Sequence, residues 1–219
     1  MKYQYPIEEV TVNEAWRVFR IMAEFIDGFE VLGKIPPAVS IFGSTRARPQ
    51  DEDYQKAEET ARRLAMEGYA IVTGGGPGIM EAANKGAMEA KGVSVGINIE
   101  LPQEQKPNKY VGTYLSFRYF FVRKVMFVKY AVAFVIFPGG FGTLDEFFEP
   151  LQLIQTHKMK PFPLILVGKD YWKGLGDWIR EIVLARGKIS PEDINLFCTL
   201  EEPEEIVNFI KEKTKQIVK

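Results

Sequence analysis

Three turns hold the residues of this sequence whose types and spacing suit chemistry. They are Gly43-Ser44-Thr45-Arg46, Thr73-Gly74-Gly75-Gly76-Pro77-Gly78 and Pro138-Gly139-Gly140-Phe141-Gly142-Thr143. Each follows a short apolar run, and the last two open a helical pattern. Glycine lets backbone approach an anion with no Cβ in the way, and a helix N-terminus adds free N–H groups and partial positive charge. Two such cradles in one chain suit a phosphate, and Thr143 adds a hydroxyl donor. Neither turn is the G-x-G-x-x-G of dinucleotide sites, and no G-x-x-x-x-G-K-[ST] occurs. The expected ligand is a mononucleotide.

Glu146 stands three residues beyond Thr143, on the same helical face. It should project toward whatever the glycine cradle anchors. Asp145 beside it reads as an acid that complements the helix dipole. Arg123 and Lys124 interrupt an otherwise apolar and aromatic helical pattern, Phe120-Phe121-Val122 before them and Val125-Met126-Phe127 after. Basic residues in that setting are more than a solvated face, so one of the two should enter the cleft. His157 is the only histidine, near a helix end, with neither a Cys or His companion for a metal nor a serine-acid pair for a triad.

The elements that must position these residues alternate. Apolar runs at Ala38–Phe42, Tyr69–Thr73, Val93–Ile97, Ala131–Phe137, Pro163–Val167 and Leu196–Thr199 read as strands. Helical spacing covers Asp51–Glu67, Pro77–Ala90, Phe117–Tyr130, Leu144–Gln155, Tyr171–Arg186 and Pro203–Ile217. Continuous apolar strands between helices are the pattern of a parallel sheet covered on both faces. The fold class is therefore α/β, a Rossmann-like open parallel sheet, read as one nucleotide-binding domain over residues 1–219. Residues 1–36 form an extension: Val12, Ala15, Trp16, Phe19, Met22, Phe25, Ile26 and Phe29 recur at three- and four-residue steps as an amphipathic helix. That helix either docks on the domain or makes an oligomer contact, and a homo-oligomer is the expected assembly.

Composition narrows the function classes. A net charge of −1 gives no basic field for nucleic acid, and no uninterrupted apolar stretch of about 18 residues exists for a membrane span. The first ten residues carry Glu8 and Glu9 and lack a signal peptide's apolar core. Cys198 is the only cysteine, which excludes an internal disulfide and disfavours structural zinc. A cytoplasmic protein with no nucleic-acid or membrane partner is expected.

The segments Gly74-Gly75-Gly76-Pro77-Gly78-Ile79-Met80 and Pro138-Gly139-Gly140-Phe141-Gly142-Thr143-Leu144-Asp145-Glu146, with Arg123-Lys124, resemble the Lonely Guy family. Its members are cytokinin riboside 5′-monophosphate phosphoribohydrolases, long labelled "possible lysine decarboxylase". The resemblance runs from about Ser40 to Val167. Phe117 to Lys124 and the N-terminal extension resemble the family's longer bacterial subgroup, associated with oligomers larger than dimers. The resemblance implies Arg123 and Glu146 as the catalytic pair. It implies Gly139, Gly140, Gly142 and Thr143 around the 5′-phosphate with Gly75 and Gly76 nearby. Lys124, Met80 and Glu81 would line the site, and Ser44 would approach the nucleotide. The implied reaction is hydrolysis of the N-glycosidic bond of AMP or an N6-substituted AMP to free base and ribose 5-phosphate, with no cofactor. Molybdenum cofactor carrier proteins resemble the same fold and bind without hydrolysing. The presence of both Arg123 and Glu146 favours the hydrolase over such a carrier. A pyridoxal phosphate decarboxylase is disfavoured, since no Schiff-base lysine with an acidic partner can be recognised.

Overall fold

Strands buried on both faces must pair all their backbone groups in the plane of the sheet, and apolar runs supply them. The computed structural model describes residues 14–100 and 106–215. In it, β1 (Ala38–Phe42), β2 (Ala70–Thr73), β3 (Ser94–Ile99), β4 (Thr113–Phe117), β5 (Ala131–Ile136), β6 (Leu164–Val167) and β7 (Cys198–Leu200) form one sheet in the order β4-β3-β2-β1-β5-β6-β7. Every pairing is parallel. The α/β, Rossmann-like class expected from the sequence is the class observed.

Helices cover both faces. Against one face lie α2 (Glu52–Met66), α3 (Ile79–Glu89) and α7 (Pro203–Thr214), through Leu64, Ile79 and Ile210 among others. Against the other lie α1 (Glu14–Leu32), α4 (Phe120–Tyr130), α5 (Phe141–Gln155) and α6 (Lys169–Trp178), through Leu32, Phe127, Phe147 and Trp172. Both cores reach the sheet through alternate side chains of the same strands, such as Val39 and Ile41 on one face and Ala38 and Phe42 on the other.

The chain departs from the sequence reading in three places. Residues 113–117 form β4, where the sequence pattern suggests only the onset of a helix at Phe117, and α4 starts at Phe120. As an edge strand, β4 buries only its last residue and alternates along the rest, so it offers no apolar run. Helix α5 begins at Phe141 rather than Leu144, which brings Gly142 and Thr143 into its first turn. The helix read over 171–186 is α6 followed by a π-helical segment, Ile179–Leu184.

The N-terminal helix is present over Glu14–Leu32, and Val12 lies outside the described residues. It docks through Ile21, Phe25 and Leu32, and Gly28 lies against Met126 of α4. Glu24 accepts hydrogen bonds from the backbone N–H of Arg118 (3.0 Å) and Tyr119 (3.3 Å). Those bonds fix α1 on the segment leading into α4. Burial raises the Glu24 carboxyl above its ordinary range. Trp16, Phe19, Met22, Ile26 and Phe29 stay exposed, so docking uses only part of the apolar stripe.

The strand order reverses between β1 and β5. Connections after β1 run toward β4, and connections after β5 run toward β7. In an open parallel sheet, the carboxyl ends of strands flanking such a reversal splay apart and leave a crevice.

Candidate active site

The structure holds such a crevice. A cleft of about 960 Å³ lies over the carboxyl ends of β1 and β5. Its walls include Gly43 to Ala47 after β1, Gly74 after β2, Asn98 of β3, and Pro138 to Thr143 after β5. Arg123, Met80, Asp51, Asp53, Asp145, Glu146 and Tyr171 also line it, with Phe42, Ile99 and Phe120. Two of the sequence's turns are tied at its base. The Ser44 N–H donates to the Pro138 carbonyl at 2.9 Å, and the Ser44 carbonyl accepts from Ile79 N–H at 3.0 Å. Ser44 thereby links the β1 turn to the β5 turn and to the start of α3.

The β5 turn leads directly into α5, with Gly140 as the capping residue and no side chain capping it. The first N–H groups of a helix have no carbonyl one turn back, so those of Gly140, Phe141 and Gly142 remain available to a ligand. Gly139 has no room for a side chain. A Cβ there would stand 2.1 Å from Thr143 Oγ1 and 3.0 Å from the Ser44 nitrogen.

Glu146 follows three residues after Thr143 and is 8% exposed. Among the described residues no hydrogen-bond donor is placed on its carboxylate. Burial pushes its pKa up to about 7, against the opposing pull of Arg123 and then Lys124. A carboxyl poised near neutrality in a cleft, with its lone pairs uncommitted, suits general base or acid work.

Arg123 is fixed from three sides. Its Nε donates to the Ile97 carbonyl at 2.9 Å, at the carboxyl end of β3. Its guanidinium lies 5.1 Å from the Phe127 ring centroid. On the third side is Gly74, where a Cβ would stand 2.7 Å from an Arg123 terminal nitrogen and 2.7 Å from the Met80 sulfur. Burial draws the Arg123 pKa downward, and the Glu146 carboxylate opposes that. A guanidinium nevertheless remains protonated at any ordinary pH, so Arg123 is a fixed positive charge acting on Glu146, in a cleft that Arg46, Asp51, Asp53 and Asp145 also line.

Of the residues singled out from sequence, Arg123, Glu146, Gly139, Gly140, Gly142, Thr143, Met80 and Ser44 line this one cleft. Gly75, Gly76, Glu81 and Lys124 do not. Gly75 and Gly76 face the other way: both carbonyls accept from Asn108, at 2.8 Å from its N–H and 3.0 Å from its Nδ2. Asn108 also bonds Asn84, which is fully buried and takes the Thr73 hydroxyl at 2.7 Å. The run of three glycines is thus split, with Gly74 toward the cleft and the next two committed to a polar network beneath it. Lys124 bridges α4 to α5 through Asp145 (2.8 Å) and Glu149 (2.9 Å). Glu81 stands in the first turn of α3, where its charge bears on Tyr54.

Sequence reasoning passed over Asn98, Phe141 and Tyr171. Tyr171 had a findable signal, since it sits four residues past the carboxyl end of β6, where a parallel sheet presents ligand-binding loops. Phe141 lies within the motif itself and is 91% exposed at the cleft mouth.

With this geometry fixed, comparison with known proteins places the chain. A family model described as possible lysine decarboxylase matches residues 80–210. The chain belongs to that family. The match agrees with the resemblance carried by the two glycine-rich turns. A curated relative, the pyrimidine/purine nucleotide 5′-monophosphate nucleosidase of Escherichia coli strain K12, is 29% identical over 162 residues. That alignment takes in 68% of this chain and 35% of the relative, so the chain matches about a third of that protein's length. An uncharacterized protein of Archaeoglobus fulgidus is 30% identical over 97 residues, 44% of this chain and 62% of that one. Among solved structures, the molybdenum cofactor binding protein of Rippkaea orientalis superposes with a TM-score of 0.59 at 24% identity, covering 82% of this chain and 98% of that one. The molybdenum cofactor carrier protein of Chlamydomonas reinhardtii gives 0.59 at 20% identity, covering 82% and 99%. These two likenesses show the fold alone. Among the described residues no helix is long and apolar enough to cross a membrane.

Proposed function

We propose that this chain hydrolyses the N-glycosidic bond of a nucleoside 5′-monophosphate, with AMP and N6-substituted AMP as the reference substrates. The observation that carries the reading is the placement of Glu146. A buried carboxyl with no donor among the described residues stands on the same helix as the anion cradle and three residues along it, roughly 4.5 Å of rise. That offset suits a ligand with a phosphate at one end and a reactive carbon a short way along, as in a nucleotide's 5′-phosphate and C1′. The nucleosidase relative acts on nucleotide 5′-monophosphates by its name, which supports the same class.

In this reading Gly139, Gly140, Gly142 and Thr143 hold the phosphate. Cleavage passes through an oxocarbenium-like sugar, whose positive charge a nearby carboxylate stabilises. Glu146 faces C1′, orients the incoming water and accepts its proton. The C1′–N bond breaks with its electron pair going to the base, the base takes up the proton that Glu146 received from the water, and the water oxygen becomes the C1′ hydroxyl of ribose 5-phosphate. Arg123 supplies fixed positive charge to the phosphate, the sugar hydroxyls or a ring nitrogen of the departing base.

The test is an HPLC time course with AMP, isopentenyl-AMP and a pyrimidine monophosphate. Free base and ribose 5-phosphate are expected in equal amounts from at least one of them. A nucleotide bound but never cleaved, or a cofactor chromophore in the absorbance spectrum of the purified protein, would reassign the chain to a carrier role.

The packing at Gly74 adds a prediction. In Gly74→Ala the new methyl meets only the ends of two flexible side chains, Arg123 and Met80. The fold should absorb it at a cost near the low end of overpacking, about 1 kcal/mol, while the Arg123 guanidinium is displaced. The expected result is a kcat/KM for AMP reduced by about tenfold or more, since small misplacements of catalytic groups carry large rate costs. A thermal melt beside the rate assay checks it, and full activity would show that Arg123 needs no such position.

A further inference from the structure

We infer that the Tyr171 hydroxyl is a positioning group for the phosphate cradle, acting through the peptide between Gly139 and Gly140; this rests on the cradle assignment above. Tyr171 donates to the Gly139 carbonyl oxygen at 2.6 Å. That carbonyl and the N–H of Gly140 belong to one peptide unit, and the described chain contains no cis peptide. In a trans peptide the two groups point in opposite directions, so fixing the carbonyl fixes the direction of the Gly140 N–H. Gly140 caps α5, and no side chain caps it in turn.

On either side the turn is held by backbone bonds: the Ser44 N–H donates to the Pro138 carbonyl at 2.9 Å, and the Thr143 and Leu144 N–H groups donate to the Gly140 carbonyl at 3.0 and 3.1 Å. Neither Gly139 nor Gly140 has a side chain to restrict its rotation, and glycine backbone visits many conformations at little cost. Between those held points, the Tyr171 hydrogen bond orients the one peptide that carries this N–H. Tyr171 is itself well anchored, although its ring is exposed. Its neighbour Trp172 is buried and donates from Nε1 to the Val167 carbonyl at 2.9 Å. The two rings meet edge to face at 4.9 Å, and Tyr171 lines the cleft beside Pro138 and Gly139. Helix α6, which follows β6, thus carries a brace that reaches back to the turn after the neighbouring strand β5.

A contact to the phosphate is made equally in the bound substrate and in the transition state, so weakening it raises KM and leaves kcat alone. Tyr171→Phe keeps the ring against Trp172 and removes only the donor. The variant should melt like the parent protein and raise KM for AMP by about three- to tenfold at unchanged kcat, the range for one neutral hydrogen bond. The dissociation constant of ribose 5-phosphate, measured by calorimetry, should rise by the same factor. Equal ribose 5-phosphate affinity in the two proteins would overturn the brace even with hydrolysis intact, as would a fall in kcat at constant KM. Weaker ribose 5-phosphate binding by the variant, with no base released by either protein, would uphold the brace while removing the hydrolase reading. A parent protein that binds no ribose 5-phosphate would remove both.

Discussion

Glu146→Gln is expected to lower kcat for AMP cleavage by about 10²- to 10⁴-fold, the span of a positioned general base, and to make the protein more stable at alkaline pH. The two effects share one cause. Burial pushes the Glu146 pKa up to about 7, above the ordinary carboxyl value it regains on unfolding. The folded state thus binds a proton that the unfolded chain has released. Stability falls as pH rises from the ordinary carboxyl range through about 7. Above it, the ionised group costs the fold about 3 kcal/mol. Glutamine imitates the protonated acid and cannot ionise, so the variant should melt higher than the parent at pH 8 and level with it at pH 4. Activity runs the opposite way. The carboxylate is the working form, so kcat/KM should climb as pH rises through about 7, and that limb should be missing from any residual activity of the variant. Melting curves and pH–rate profiles of the two proteins check both halves. An unstable variant would mean that the lost activity reflected packing, and an active one would remove Glu146 from the chemistry.

Arg123→Ala should cost about 10²- to 10³-fold in kcat/KM, as expected for one preorganised electrostatic group in a water-poor site. Lysine should not restore it. The guanidinium donates through Nε to the Ile97 carbonyl while its plane lies near the Phe127 ring, and an ammonium cannot reproduce that fork. A second readout tests whether Arg123 and Glu146 act together. Arg123 is the largest influence holding the Glu146 pKa down against burial. Removing it should therefore move the rising limb of the residual pH profile above that of the parent. A loss of rate with an unmoved limb would make Arg123 a substrate-binding group independent of Glu146. A fully active Arg123→Ala would exclude it from the mechanism.

Much of this arrangement could be read from the chain because burial leaves a compositional trace. The central strands β1 and β5 lie under helices on both faces, so Ala38–Phe42 and Ala131–Ile136 are almost wholly apolar, and their ends mark the turns that hold ligand. β4 leaves no such trace: Tyr114 and Ser116 face outward from an edge, and a strand half in water resembles a loop in composition. Inside the site, residue type was legible and direction was not. Arg123 and Lys124 are neighbours on one helix, about 100° apart around its axis. Only one could enter the cleft, and the choice fell to Asp145 and Glu149, which hold Lys124 against α5. Three consecutive glycines have the same ambiguity until Asn108, more than thirty residues on, claims two of their carbonyls. Tyr171 was invisible for a related reason. Its partner is a backbone oxygen on a distant turn, and no side-chain motif announces a bond of that kind. The amphipathic helix at the N-terminus was plain as a helix, while the side it would show to the domain was set by the fit of Gly28 on Met126.

The central claim is that a phosphate held at the start of α5 delivers the glycosidic bond to Glu146. The direct test compares AMP with adenosine at equal concentration, following free adenine by HPLC. The account predicts adenine from AMP and none above the protein-free control from adenosine, with ribose 5-phosphate inhibiting the reaction competitively. Adenine released equally from both would contradict it, because the phosphate cradle would then contribute nothing to bringing C1′ to the carboxylate.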